Sequence, residues 1–229
     1  MEALDVLANN LANAATSGFK NDREFYNLYM SSEGTSPVPD GPQLTVPVIE
    51  KQWTDFAQGV LQPTGNQLDL AISGPGFFAV NGPSGPLYTR NGSFKVSSEG
   101  QLVTVEGYAV RSADGSEIKL SADKPIVITT DGTVRQEGAI VGRIGAFDFK
   151  STAGLRKMGA TYFQNGDTAA ATAAEKAEVQ QGKLENSNVP VAEAAMRLVG
   201  TMRQFEMLQK AIGISSEMNR RSIEEVAKV

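Results

Sequence analysis

The residues from Asn188 to Val229 read as one long amphipathic helix. A helix of this length constrains the rest of the chain, because its apolar side needs a cover that a small domain can supply only in part. Pro190 suits a first helical turn, where its missing N–H costs nothing. Asn188 or Ser187 stands in the capping position, and Glu193 puts negative charge at the positive end of the helix dipole. A seven-residue repeat runs through Val191, Ala195, Leu198, Met202, Phe205, Gln209, Ile212, Ser216, Asn219, Ile223 and Val226. Charged residues such as Arg197, Arg203, Glu206, Lys210, Glu217, Arg220, Arg221 and Glu224 fall between, which matches the narrow seam of a coiled coil better than the broad face of a globular helix. Gln209, Ser216 and Asn219 interrupt the seam, as residues that fix register do. A helix lying on its own domain's core is the plainer alternative.

The other end repeats the pattern in miniature. Over residues 3 to 13, Leu4, Ala8 and Leu11 share one helical face with Leu7 alongside, and Gly18 is a C-terminal stop. Asn9, Asn10 and Asn13 are mediocre helix formers. They mark either side chains that bond something beyond their own backbone or a frayed helix end.

Between the helices the chain reads as β structure. Asn81-Gly82, Asn91-Gly92, Asp114-Gly115, Asp131-Gly132 and Asn165-Gly166 are turn signals separating short runs rich in Val, Ile, Thr and Phe. Strands are expected at 77–80, 94–96, 102–105, 108–111, 117–120, 126–129, 133–136 and 141–149, in an antiparallel sandwich or irregular barrel. The four prolines of residues 31–47 suggest an extended linker, with Trp53 and Phe56 just beyond it as anchors onto the β domain. Phe25, Tyr26, Leu28, Tyr29 and Met30 read as a short helix or a strand. The Ala- and Thr-rich stretch from Thr168 to Ala177 reads as a loop or a short helix. The expected architecture is therefore α+β: paired N- and C-terminal helices, coiled-coil-like, bracketing a mainly antiparallel β domain. Its expected divisions are residues 1–30 (helix and motif), 31–60 (linker), 61–184 (β domain) and 185–229 (long helix).

Composition removes several functions. A net charge of −5 and a pI near 4.9 offer no basic footprint for phosphate backbones, so no nucleic-acid partner is expected. No run approaches the roughly eighteen apolar residues of a membrane span, and no basic stretch with a hydrophobic block marks a cleaved leader. The chain has neither histidine nor cysteine, which removes the usual triads, thiolate metal sites and disulfides. Carboxylate pairs such as Asp69 with Asp148, or Asp114 with Glu117, could serve glycoside hydrolysis, but acidic residues beside glycine are usually turn chemistry. Gly74-Pro75-Gly76 resembles a phosphate loop only faintly, because Phe77-Phe78-Ala79-Val80 continues as strand where that loop needs a helix N-terminus. No catalytic residue, cofactor, metal ligand or small-molecule substrate is expected.

The run from Leu4 to Lys20, Leu-Asp-Val-Leu-Ala-Asn-Asn-Leu-Ala-Asn-Ala-Ala-Thr-Ser-Gly-Phe-Lys, resembles the N-terminal signature of bacterial flagellar rod and hook proteins. Three stretches agree with that family in order: Asp69 to Val80, Tyr88 to Phe94, and Leu184 to Val189. Gly100 to Thr104 also fits, while residues 113–181 carry little of the pattern. Members usually continue the helix ahead of the Asn-Asn-Leu-Ala-Asn motif, so Met1 aligns with an internal position. Within the family, the short connection from Lys20 to Asp69 and the run Arg203-Gln204-Phe205-Glu206-Met207 resemble the proximal-rod type ahead of the distal-rod type.

The resemblance implies a structural subunit whose terminal helices pack against those of neighbours in a hollow helical shaft. Its partners would be other rod subunits and the flagellar export apparatus, and its place the periplasmic part of the basal body, reached without a cleaved signal peptide. The expected packing residues are Leu4, Leu7, Asn9, Asn10, Leu11, Asn13, Gly18, Phe19, Leu198, Met202, Phe205 and Ile212. An adhesin-like β protein on a coiled-coil stalk is the rival reading, and it would trimerise through the C-terminal helix.

Overall fold

A computed structural model describes residues 2–30, 45–121, 123–166 and 170–226. Helix α1 spans Glu2–Ala12, and strand β1 (Asp22–Met30) pairs antiparallel with β2 (Thr45–Thr54). Short strands follow: β3 (Leu61–Pro63), β4 (Leu70–Ser73), β5 (Phe77–Gly82), β6 (Gly85–Thr89), β7 (Phe94–Val96) and β8 (Leu102–Thr104). Next come β9 (Ile126–Ile128), β10 (Thr133–Gln136), β11 (Ala139–Arg143) and β12 (Ala146–Asp148). The series closes with β13 (Leu155–Lys157), β14 (Tyr162–Asn165), β15 (Thr172–Ala173), β16 (Glu178–Gln181) and β17 (Lys183–Glu185), then helix α2 over Val191–Val226. All the ladders between these strands are antiparallel.

The largest sheet has the order β13-β14-β6-β5-β12-β15, and a three-stranded sheet has the order β11-β10-β9. Pairs β16-β4, β17-β3 and β7-β8 complete the β region. Strand β5 explains why an unbroken apolar run suits this place. Alternate side chains leave opposite faces of a strand. Phe78 and Val80 enter a core with Leu70, Ile72, Leu102, Ile118, Val134 and Ile144, while Phe77 and Ala79 enter a second cluster with Tyr88 and Phe163. Phe56 closes over this second cluster, its ring edge-on at 5.6 Å from Phe77 and 5.0 Å from Phe163. Each such ring contributes about 1.5–3 kcal/mol by leaving water.

The structure divides into two compact units, Asn13–Val189 and the pair of helices α1 and α2. Here the expected α+β class with a coiled-coil helix pair is corrected. The described residues hold seventeen strands against two α-helices, so the protein is mainly β. No coiled coil is present among them. The physical reason is length: α1 packs on α2 but has 11 residues against 36, about 16 Å against 54 Å, and fewer than two heptads cannot sustain a supercoil. The turn following α1, where Thr16 Oγ1 donates to Asn13 Oδ1 at 3.3 Å and Gly18 takes φ +70°, ends the helix there.

Several local expectations change as well. The run 141–149 is interrupted after Arg143, and Gly145 permits the break because a Cβ there would lie 2.5 Å from the Phe147 ring. Residues 108–111 and 117–120 contribute isolated bridges rather than strands. Residues 45–54, expected to be part of the linker, form β2, whereas 22–30 form a strand, one of the two readings of Phe25 to Met30; residues 31–44 lie outside the described residues. Thr172–Ala173 is an edge strand on β12 where a loop or helix was expected, and residues 167–169 fall outside the described residues. Trp53 is 45 % exposed and not an anchor; its ring lies 5.7 Å from the Arg23 guanidinium.

Candidate functional site

Three of the family-like motifs of the sequence meet inside the Asn13–Val189 unit. Gly18-Phe19-Lys20 follows α1, Arg90-Asn91 follows β6, and Glu185 ends β17. The fully buried Glu185 carboxylate accepts from Lys20 Nζ at 2.6 Å through Oε1 and from Arg90 Nη1 at 3.1 Å through Oε2. Its Oε1 also accepts the Gly59 N–H at 2.9 Å. Lys20 Nζ donates a further bond to the Ala57 carbonyl at 2.7 Å. Arg90 reaches the Ile72 and Gly74 carbonyls and stacks 5.3 Å from the centre of the Phe77 ring, while its buried Nε has no hydrogen-bond partner.

Backbone bonds complete this clasp. The Gly18 N–H donates to the Glu185 carbonyl at 2.7 Å, and the Asn21 N–H donates to Asn188 Oδ1 at 2.7 Å. Asn188 Nδ2 in turn donates to the Asp55 and Ala57 carbonyls. Segments 18–21 and 185–189 are thereby held side by side on the β unit. Two cations face one carboxylate here. Burial pulls the Lys20 ammonium pKa below the ordinary lysine value, opposed by Glu185, and burial acts on Arg90 in the same direction, again opposed by Glu185.

Gly18 cannot be replaced cheaply. A Cβ would lie 2.2 Å from the Asn91 backbone nitrogen, and the residue sits in the left-handed region. Gly18→Ala is expected to lower unfolding free energy by about 2–4 kcal/mol, read from the urea midpoint. Gly18→Asn separates the causes: asparagine tolerates the left-handed region but brings the same Cβ, so it should be as damaging if crowding dominates.

The structure treats the expected packing residues unequally. Gly18 and Phe19 are buried in the clasp and do not belong to a surface; the Phe19 ring is fully covered, with Lys157 Nζ 3.9 Å from its centre. Asn13 serves the turn following α1, Asn10 is buried, and Asn9 is exposed. Leu4, Leu7 and Leu11 are half-buried on α1. On α2, Leu198 is half-buried while Met202, Phe205 and Ile212 are exposed, at 49, 40 and 69 %. The side chains of Ile223 and Val226 lie outside the described residues. Neither Asn188 nor Ser187 caps α2, since Asn188 is spent in the clasp and the first bond of that turn runs from the Ala194 N–H to the Pro190 carbonyl. Of the proposed carboxylate pairs, Asp69 accepts from Asn66 and Asp114 from Ser116, both turn chemistry.

Sequence reading missed the clasp because its charges lie at positions 20, 90 and 185 with no local pattern among them. It also missed a second apolar line on α2, formed by Met196, Met207, Ile214 and Met218, all more than 60 % exposed.

The protein is a β unit with a buried clasp, followed by a long helix whose apolar residues Met202, Phe205 and Ile212 are exposed. Comparison with known families is specific. Residues 2–20 match the model described as flagella basal body rod protein, 71–136 the flagellar hook protein FlgE/F/G D1 domain, and 180–225 the flagellar basal body rod FlgEFG protein C-terminal region. The chain is 34 % identical to the flagellar basal-body rod protein FlgF of Caulobacter vibrioides, over 99 % of this chain and 92 % of that one. It is 32 % identical to FlgG of Buchnera aphidicola subsp. Schizaphis graminum (94 % and 90 % covered) and 33 % identical to FlgF of Mesorhizobium japonicum (89 % and 83 %). The chain belongs to the flagellar basal-body rod family, a family of structural proteins of the basal body.

Proposed function

We propose that this chain is a structural subunit of the proximal part of the flagellar rod, which joins copies of itself and other rod and hook components into a hollow helical shaft that transmits torque. One observation carries the reading: α2 displays Met202, Phe205 and Ile212 to solvent on a helix that α1 is long enough to cover only in part. A head-to-tail contact that does not close on itself generates a helical tube. Leu198, Met202, Phe205 and Ile212 supply the packing line in that tube, with Leu4, Leu7 and Leu11 on the same helical layer. The β unit makes further lateral contacts between subunits.

The proximal position is favoured over the distal one by the short connection between Lys20 and Asp69, and the FlgF relatives support it. The subunit reaches the periplasm through the flagellar export apparatus without leader cleavage, and its role is structural rather than catalytic. Electron microscopy of basal bodies from cells lacking this gene tests the reading. Rings with an absent or truncated shaft are expected, and the point of truncation separates proximal from distal. Intact rods would overturn it.

A further inference from the structure

The two chain segments of the clasp run in the same direction. The Gly18 N–H donates to the Glu185 carbonyl at 2.7 Å, and further along both segments the Asn188 N–H donates to the Phe19 carbonyl at 3.4 Å. Side chains continue the series: Lys20 Nζ donates to Glu185 Oε1 at 2.6 Å, and the Asn21 N–H to Asn188 Oδ1 at 2.7 Å. Each segment is also tied to the rest of the β unit. Lys157 Nζ donates to the Lys20 carbonyl at 3.0 Å, the Asn186 N–H to the Val60 carbonyl at 2.9 Å, and Asn188 Nδ2 to the Asp55 and Ala57 carbonyls. Glycine at 59 permits the close fit, since a Cβ there would lie 2.0 Å from the Asn186 carbonyl oxygen.

The order of the chain decides how this joint takes tension. Helix α1 lies upstream of Gly18 and α2 downstream of Asn188. A pull on the two chain ends therefore draws segment 18–21 from its N-terminal end and segment 185–188 from its C-terminal end. Segments that run the same way and are drawn from opposite ends slide along each other, so the bonds between them share the load and fail together. Segments drawn from the same end would instead peel, losing one bond at a time. Everything between residues 21 and 185 lies inside the loop that the clasp closes, β1 to β16 included, and carries no tension while the clasp holds.

We infer that the clasp is a mechanical clamp, which resists a pull applied through the two chain ends and shields the β unit from it. Its use in a torque-transmitting shaft rests on the reading above, while the clamp itself is a property of the single chain. Burial of the charges serves this role. The Lys20 and Glu185 side chains are fully covered, so water has no access to replace their bond as sliding begins. Forced unfolding is set by the rate of unfolding, and bonds that must break in one step slow that rate more than bonds lost in sequence.

Optical tweezers on the full chain are the test. The chain has no cysteine, so one cysteine added at each end gives two unique handles. The helices are expected to extend first, and the β unit then to give way in a single high-force event that releases roughly 550 Å of chain. Lys20→Met, which removes a bond between the two segments, should rupture at least tenfold faster at the same force. Ile118→Val thins the core inside the closed loop; it should lower the urea midpoint yet rupture at the wild-type rate. Equal acceleration in the two variants overturns the proposal, as does a β unit that lengthens in small steps at low force. Either failure leaves the shaft reading standing, because only the single chain is pulled.

Discussion

Glu185→Ala is expected to lower the unfolding free energy of the Asn13–Val189 unit by about 3–5 kcal/mol, the cost of stripping the counter-ion from buried charges. The reason is a count of charges. Lys20 and Arg90 both sit on this carboxylate, at 2.6 and 3.1 Å, and all three side chains are 5 % exposed or less. With the carboxylate gone, two cations face each other out of water, and the Gly59 N–H loses its acceptor as well. Lys20→Met should behave differently. It removes the surplus cation and leaves Glu185 paired with Arg90 and Gly59, while the Ala57 carbonyl still accepts from Asn188 Nδ2 at 3.0 Å. A loss of roughly 0–2 kcal/mol is expected, because replacing a buried charge by an apolar side chain of similar size removes its desolvation cost along with its bonds. Urea unfolding of the two variants reads the asymmetry; equal losses would show that the clasp works by packing alone. The two proteins should also differ in alkali. Burial lowers the Lys20 pKa, so over the interval below about 10.4 the unfolded chain holds this proton while the folded chain has released it. Stability contributed at this site therefore rises with pH there, and Lys20→Met should lack that slope.

What the sequence shows and what it hides follow from how local each signal is. The long helix was readable from its own periodicity, and turns at Asn91-Gly92 and Asp131-Gly132 from their residues. The structure supplies the reason that position 92 takes glycine: a Cβ would lie 1.7 Å from the Leu70 carbonyl oxygen. Strands β5, β7 and β10 were readable because each carries a short run of β-forming residues bounded by turns. The clasp was not readable, since nothing near Lys20, Arg90 or Glu185 announces that three distant charges share one interior. Fitting a seven-residue repeat followed one side of α2 and passed over the second apolar line, in which Met196, Met207 and Met218 recur at intervals of eleven. The same fit led to a coiled coil, although the helix at the other end is too short to form one. Capping was misread for a related reason: Asn188 stands where a cap belongs, but its amide is committed to the Asn21 N–H and two carbonyls of the clasp.

Phe205→Asp is expected to abolish rod assembly while leaving the β unit folded. In the single chain Phe205 is 40 % exposed, so a carboxylate there remains hydrated, and aspartate and phenylalanine differ little in helix propensity. The Asn13–Val189 unit should therefore unfold at an unchanged urea concentration. Packing changes the balance. Burying a phenylalanine contributes about 1.5–3 kcal/mol, and an aspartate at the same place forfeits that and takes an unpaired carboxylate out of water, at a further cost of several kcal/mol. A combined loss above about 4 kcal/mol weakens each contact roughly a thousandfold. A growing tube repeats that contact at every subunit, so the loss compounds and the shaft does not extend. Phe205→Leu keeps the apolar surface without the charge and should retain motility in soft agar, with only a modest weakening from the smaller side chain. Basal bodies of the aspartate variant, seen by electron microscopy, should lack a completed shaft. If that variant builds full rods, Phe205 does not face a neighbour, and the packing line from Leu198 to Ile212 belongs to the surface of the shaft.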